Sequence, residues 1–257
     1  MALICFASQK GSPGTTTTAL AVAAGWPAPS GHRKLFVEAD PSGGSLALRY
    51  QLSVELGLVT LAAAVRAGID QSSVWNQAQL LPGGLPAVLG PETPDQVNSV
   101  LASTGAALGR FLSNLEAVDV IVDLGRLGTG THAAGFLDSA DLLLMVARPV
   151  AEQLQPAAHR LQSLGLPAER LGWVLVGERP HSTAEVEQAF GLRVAGVIAD
   201  DQRGAKALAG ESAGSSRIRR SALARSASSL ADELARRTRP ATDASHQPDA
   251  NTEAVTA

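Results

Sequence analysis

The stretch Leu3-Ile4-Cys5-Phe6-Ala7-Ser8-Gln9-Lys10-Gly11-Ser12-Pro13-Gly14-Thr15-Thr16-Thr17-Thr18 decides the fold. An apolar run long enough for one buried strand leads into a loop with two glycines and a proline. Small residues then open a helix, predicted over Thr16 to Ala24. A strand, a glycine-rich turn and a helix start in that order form the setting of a phosphate-binding loop, in which glycines let backbone N–H groups converge on an anion and the helix N-terminus adds a favourable dipole. By itself the loop is a weak signal, because the general motif ends Gly-Lys-Ser/Thr and this one ends Gly14-Thr15-Thr16.

Downstream, short Val/Ile/Leu-rich runs alternate with longer helical stretches. Strands are predicted at 34–38, 87–89, 119–123, 142–146, 173–176 and 194–198, and helices at 59–67, 94–115, 151–164, 182–190 and 202–209. Most of the strands read as buried on both faces, not alternating, which is the pattern of a doubly wound α/β fold: a mostly parallel sheet with helices on both faces. Residues 45–115 match no trusted motif. The expected organisation is a nucleotide-binding domain over 1–210, a basic amphipathic helix within 211–239 and a disordered tail over 240–257. The helix is predicted from Ser216 to about Arg237, because Leu223, Ala227, Leu230 and Leu234 recur at helical spacing, and that stripe should dock on the domain.

Composition narrows the classes. The chain has 257 residues, 45% hydrophobic and 18% charged, with a formal net charge of -3. That suits one sizeable core and argues against a protein that coats nucleic acid over its whole surface. One cysteine, Cys5, excludes an intramolecular disulfide and reads as a small buried apolar residue in a reducing compartment. No apolar run approaches the ~20 residues of a membrane span, and the expected location is cytoplasmic. The five histidines show no metal-ligand spacing. Lysine occurs only at Lys10, Lys34 and Lys206.

Two carboxylates strengthen the reading of the loop. Leu35-Phe36-Val37-Glu38-Ala39-Asp40-Pro41 is an apolar strand that delivers an aspartate and breaks at proline, and Val118-Asp119-Val120-Ile121-Val122-Asp123 is a second strand with a terminal aspartate. In an open parallel sheet, ligands sit at the carboxyl ends of the strands, where the loop, Asp40 and Asp123 would converge. A strand-end aspartate also often caps the next turn, so both have a structural reading as well.

Together Gln9-Lys10-Gly11-Ser12-Pro13-Gly14-Thr15-Thr16-Thr17, Glu38-Ala39-Asp40-Pro41 and Val122-Asp123 resemble the ParA/MinD group of deviant Walker A ATPases over roughly residues 1–210. The resemblance implies ATP or ADP with Mg2+, bound by Lys10, Gly11, Ser12, Gly14, Thr15, Thr16 and Thr17. It implies Thr16 and Asp123 as the magnesium residues and Asp40 as the residue that orients the attacking water. It also implies a nucleotide-dependent homodimer in which Lys10 reaches the partner's phosphates, so that Lys10 and Asp40 carry the catalytic roles. The family's second lysine falls on Thr15, which cannot supply its charge, and hydrolysis is expected to be weak or absent. Asp123-Leu124-Gly125-Arg126 replaces the family's Asp-x-Pro-Pro, and Val176-Gly177-Glu178-Arg179-Pro180 lacks the asparagine that often reads adenine. Arg126 and Arg148 follow predicted strands and could lend charge, although arginines there are more often solvated or structurally paired.

The implied role is a positioning switch for chromosomes, plasmids or a cell-pole cargo, with a centromere-binding protein or a pilus or secretion component as partner. The alternatives are a non-catalytic scaffold on the same fold and, less favoured, a metabolic relative of the superfamily. Residues 216–239 carry seven arginines against Asp232 and Glu233, a local charge of +5. Arg217, Arg219, Arg220 and Arg225 are candidates for non-specific contact with DNA phosphates; a solvated basic face is the plain alternative.

Overall fold

The computed structural model describes residues 1–210 and 220–238. Its centre is an eight-stranded sheet with β1 (Leu3–Ser8), β2 (Arg33–Glu38), β3 (Gln79–Leu81), β4 (Leu85–Val88), β5 (Val118–Arg126), β6 (Leu142–Ala147), β7 (Leu171–Val176) and β8 (Val194–Ile198). The spatial order is β3-β4-β2-β5-β1-β6-β7-β8. Every pairing is parallel except that of β3 with β4. The expected doubly wound, mostly parallel α/β fold is present.

Period-two side-chain alternation splits the interior into two layers. Leu3, Cys5 and Ala7 of β1 join the core under α3 (Leu58–Arg66), α4 (Pro94–Ser113), α5 (Ala134–Ser139), α6 (Ala151–Ser163) and α7 (Thr183–Phe190). Ile4 and Phe6 join the core under α1 (Thr15–Gly25), α2 (Leu46–Tyr50), α8 (Gln202–Leu208) and α9 (Ala222–Thr238). Because β1 is covered on both faces, all six of its residues are buried, including Cys5. Burial also pushes the Cys5 thiol well above its ordinary pKa, which keeps it unreactive.

The last helix docks as its apolar stripe predicts. Leu223, Ala227, Leu230 and Leu234 are buried. Close approach to α1 depends on Gly25, where a Cβ would lie 2.6 Å from Ser228 Oγ and 3.0 Å from Ser228 Cα. The expected start at Ser216, Arg217 and Arg219, and the expected disordered tail lie outside the described residues.

Four elements depart from the sequence reading: β3, α2, α5 and the end of β5. A hairpin joins β3 to β4 through Pro82-Gly83-Gly84, with both glycines at positive φ and Gly84 N–H bonded to Leu81 O at 2.9 Å. The Gly-Gly signal for a hairpin was there to be read, but a three-residue strand has little period of its own. The short helices α2 and α5, of five and six residues, are also too brief to show one. The carboxyl edge of β5 runs past Asp123 to Arg126, where Ser8 pairs with Arg126 across a register shift.

Candidate functional site

The site grows from the loop between β1 and α1. Gly11 (φ 81), Ser12 (φ 45) and Gly14 (φ 95) all have positive φ, backbone conformations of the kind found in tight turns whose N–H groups can converge on an anion. Gly14 sits at the N-cap of α1 without a side-chain cap, so the first amides of the helix have no intrahelical acceptor. Thr15 is buried, Thr16 and Thr17 are half-buried, and Lys10 and Ser12 are exposed. Among the described residues Lys10 has no hydrogen bond or ion pair.

The two aspartates reach the same place. β2 and β5 are in register with Glu38 opposite Asp123, and Asp123 is opposite Phe6 of β1 on its other side. The end of β2 therefore lies level with Asp123 of β5, beside the loop. Asp123 is fully buried. Its Oδ1 accepts from Gly125 N at 2.9 Å, whereas among the described residues Oδ2 has no hydrogen-bond partner. Burial raises its pKa from the ordinary 3.8 to about 7; the Thr16 hydroxyl and the Gly125 amide oppose the rise, and the charges of Asp40 and Glu38 add to it. An unpartnered buried carboxylate oxygen with a hydroxyl close by suits a hard divalent cation. Magnesium takes one or two such protein oxygens and completes its shell with water and phosphate. Among the described residues there is no cluster of three or more His, Cys, Asp or Glu that would form an all-protein metal cage.

Asp40 follows β2 on a tight turn, in which its Oδ1 accepts from Ser42 N at 2.8 Å and its carbonyl accepts from Gly43 N at 2.9 Å. The carboxylate rests on the backbone of Gly125, where a Cβ would overlap it. Gly125 takes φ 54 near the end of β5 and, having no side chain, leaves room for Asp40. Asn98 of α4 steadies the turn, its Nδ2 donating to Pro41 O at 3.0 Å.

Several contributors were not read from the sequence. Buried Glu38 accepts from Ser45 N and Leu46 N through Oε1 (2.8 and 3.2 Å) and from Gly90 N through Oε2 (3.1 Å). It fastens the segment after Asp40 to the end of β4, and burial nonetheless raises its pKa. Gln153 of α6 accepts from Arg148 N at 2.8 Å. Its side-chain amide also lies over the loop, with Nε2 2.5 Å from where a Gly11 Cβ would be. A pocket of about 190 Å³ opens beside the loop, lined by Ser12, Gly14, Thr18, Arg148, Asp200 and Leu223 among others. A Gln far along the chain and a carboxylate one turn past β8 carry no motif, and only the fold brings them here.

Of the basic candidates, Arg220 and Arg225 are exposed at the start of α9, while Arg217 and Arg219 lie outside the described residues. Arg236 is paired with Glu233 at 2.8 Å, and Glu233 is bridged in turn by Arg193 at 3.1 Å. Arg126 is exposed. Among the described residues no helix is long and apolar enough to cross a membrane.

No family model matches the sequence, and no curated protein matches it. Solved structures do. A ParA family ATPase from Chlorobium tepidum superimposes with a TM-score of 0.76 at 18% identity, covering 90% of this chain and 98% of that one. The cell-division ATPase MinD of Pyrococcus furiosus gives 0.69 at 20% identity, covering 91% and 98%. The septum site-determining protein MinD of Pyrococcus horikoshii, solved with Mg-ADP, gives 0.68 at 19% identity, covering 91% and 95%. The chain has the ParA/MinD fold over nearly the whole length of these proteins.

Proposed function

We propose that the chain is a ParA/MinD-like nucleotide-binding positioning switch, with hydrolysis weakened by the threonine at position 15. The observation that carries this reading is the meeting, at the carboxyl ends of three adjacent strands, of a positive-φ loop, Asp40 and an Asp123 with an unpartnered buried oxygen. Backbone amides from Gly11 to Thr16 would hold the phosphate chain of ATP or ADP, with Ser12 and Thr17 beside it. Thr16 and Asp123 would hold magnesium, which when bound supplies charge neutralisation between the phosphates. Asp40, fixed by its turn against Gly125, would orient the attacking water. Exposed Lys10 would reach the phosphates of a second copy in a nucleotide-dependent homodimer.

On this reading residues 1–210 with the docked α9 form the switch. A partner protein of the centromere-binding or the pilus and secretion type would read its state, and Arg220 and Arg225 would add non-specific contact with DNA. The test is calorimetric titration with ATP and ADP in the presence of magnesium. Micromolar to submillimolar binding supports the switch, and no binding of either at millimolar concentration refutes it. The non-catalytic scaffold then remains, a reading favoured by one observation: no lysine stands at position 15.

A further inference from the structure

We propose that Arg148 is the cation that serves the phosphate loop in place of the absent lysine, and that Asp200 holds it back until a polyphosphate competes for it. The inference rests on the nucleotide reading above and assigns the loop a charge that the reading lacks. Among the described residues lining the pocket beside the loop, Arg148 is the one cation, and the same pocket is walled by Ser12, Gly14, Thr17 and Thr18. Its position is fixed from two sides. It follows β6, the neighbour of β1 in the sheet. Its backbone N–H is also held by Gln153, whose amide lies on Gly11.

Among the described residues the guanidinium itself is held by one carboxylate. Arg148 Nη1 and Nη2 make a two-pronged pair with Asp200 at 2.6 and 3.1 Å. Both side chains are more than two-fifths exposed, and an ion pair in that much water is worth little and opens readily. Asp201, next to it, is committed elsewhere: it caps α8 at Gly204 N and accepts from Ala222 N and Leu223 N of α9. Among the described residues the Asp200 carboxylate makes no such structural bond. An arginine fork fits phosphate as well as it fits carboxylate, and a di- or triphosphate on the loop brings more charge than Asp200. The pair is then an exchangeable latch at the mouth of the pocket, unlike a structural bridge.

The two partners should therefore act in opposite directions on affinity, which a merely structural bridge would not allow. Affinities for ATP and ADP are measured by calorimetry at several salt concentrations for the parent, Arg148→Ala, Arg148→Lys and Asp200→Asn, with circular dichroism to confirm folding of these exposed variants. Arg148→Ala should weaken binding about tenfold and flatten the salt dependence, as expected for loss of a charged contact. Arg148→Lys should recover part of that loss, and Asp200→Asn should tighten binding about threefold. If the parent binds nucleotide but Arg148→Ala and Asp200→Asn shift affinity in the same direction, or neither shifts it, the latch is refuted and the nucleotide reading stands. If the parent binds neither nucleotide, both fall.

Discussion

Asp123→Asn should make the protein more stable as the pH rises, and the size of the gain follows from the burial of the carboxyl. The carboxyl is fully buried, one of its oxygens has no partner, and its pKa is raised from 3.8 to about 7. A raised carboxyl pKa means that the folded state binds the proton more tightly than the unfolded state does. The penalty is therefore absent below about pH 4, accumulates as the pH climbs towards 7, and is constant above that. Each pH unit between the two values is worth ~1.4 kcal/mol, which puts the ceiling at roughly 4 kcal/mol, and relaxation around the charge lowers it to ~2–3 kcal/mol. An asparagine keeps an acceptor for Gly125 N, replaces the unpartnered oxygen with a donor beside Thr16, and never ionises. Urea unfolding of parent and variant, followed by the fluorescence of Trp26, Trp75 and Trp173 in EDTA from pH 4.5 to 8.5, measures the difference directly. The other titrating groups cancel between the two proteins. The stability gap should widen from about 1 kcal/mol at pH 4.5 to a few kcal/mol in favour of the variant above pH 7. A gap that stays constant with pH, or that favours the parent at pH 8, would show that Asp123 is solvated or paired, and the cation site argued from its unpartnered oxygen would go with it.

Thr15→Lys restores a cation at the head of α1 and should raise ATP turnover by at least tenfold in a phosphate-release assay, while ADP affinity improves less; no change in either would mean that position 15 does not face the phosphates. Gly125→Ala puts a methyl group into the Asp40 carboxylate at a positive φ, and should cost ~1–3 kcal/mol in thermal or urea unfolding as well as reducing any turnover. Gly25→Val should lever α9 from α1 through Ser228 and destabilise by about 1–3 kcal/mol, read as a lower melting temperature. Arg220→Ala combined with Arg225→Ala should weaken binding to unrelated DNA duplexes and reduce its dependence on salt; equal binding by the double variant in a gel-shift series would dismiss that face.

The parts of the molecule legible in the sequence are those in which one chain segment carries its own pattern. Buried strands such as Leu142–Ala147 show as continuous apolar runs because both faces are covered, and the strand-loop-helix around Gly11 and Gly14 announces itself through local backbone demands. The α9 stripe is legible for the same reason, since Leu223, Ala227, Leu230 and Leu234 keep the helical period. The β3–β4 hairpin and the short helix at Leu46–Tyr50 escaped because three to five residues give no period to detect. Within the site, Asp40 and Asp123 could be found because each closes or directly follows an apolar run in the sequence, although β5 continues past Asp123 to Arg126. Gln153, Asp200 and Gly125 could not, because what they do depends on which strands are neighbours. The proximity of β6 and β8 to the loop is a property of sheet order, not of sequence distance. Glu38 shows no role in the sequence for a different reason: among the described residues its carboxylate binds three backbone amides, so its importance is visible only in those partners.

The substitution at position 15 bears differently on binding and on catalysis. Loop amides and a helix N-terminus contact phosphate oxygens that carry charge in the ground state as well as at the transition state, so they lower the free energy of both alike. Such uniform binding gives affinity without rate. The family's lysine acts where charge shifts during transfer, so its loss falls mainly on turnover. On the proposed reading, a chain that keeps the positive-φ loop, Asp40 and Asp123 but places Thr15 at the helix start would hold nucleotide in a bound state that persists. For a protein that holds a partner in place, a slow clock is a usable property. The proposed Arg148 latch fits the same division: a cation drawn from Asp200 by the ligand strengthens occupancy, while its place on the pocket side of the loop, away from Asp40 and Asp123, leaves the reacting end of the phosphate chain without added charge. Thr15→Lys should therefore change the turnover number more than the dissociation constant, and Arg148→Ala the dissociation constant more than the turnover number. That crossed pattern separates a retained switch from a loop that has lost its ligand altogether, for which neither quantity would respond.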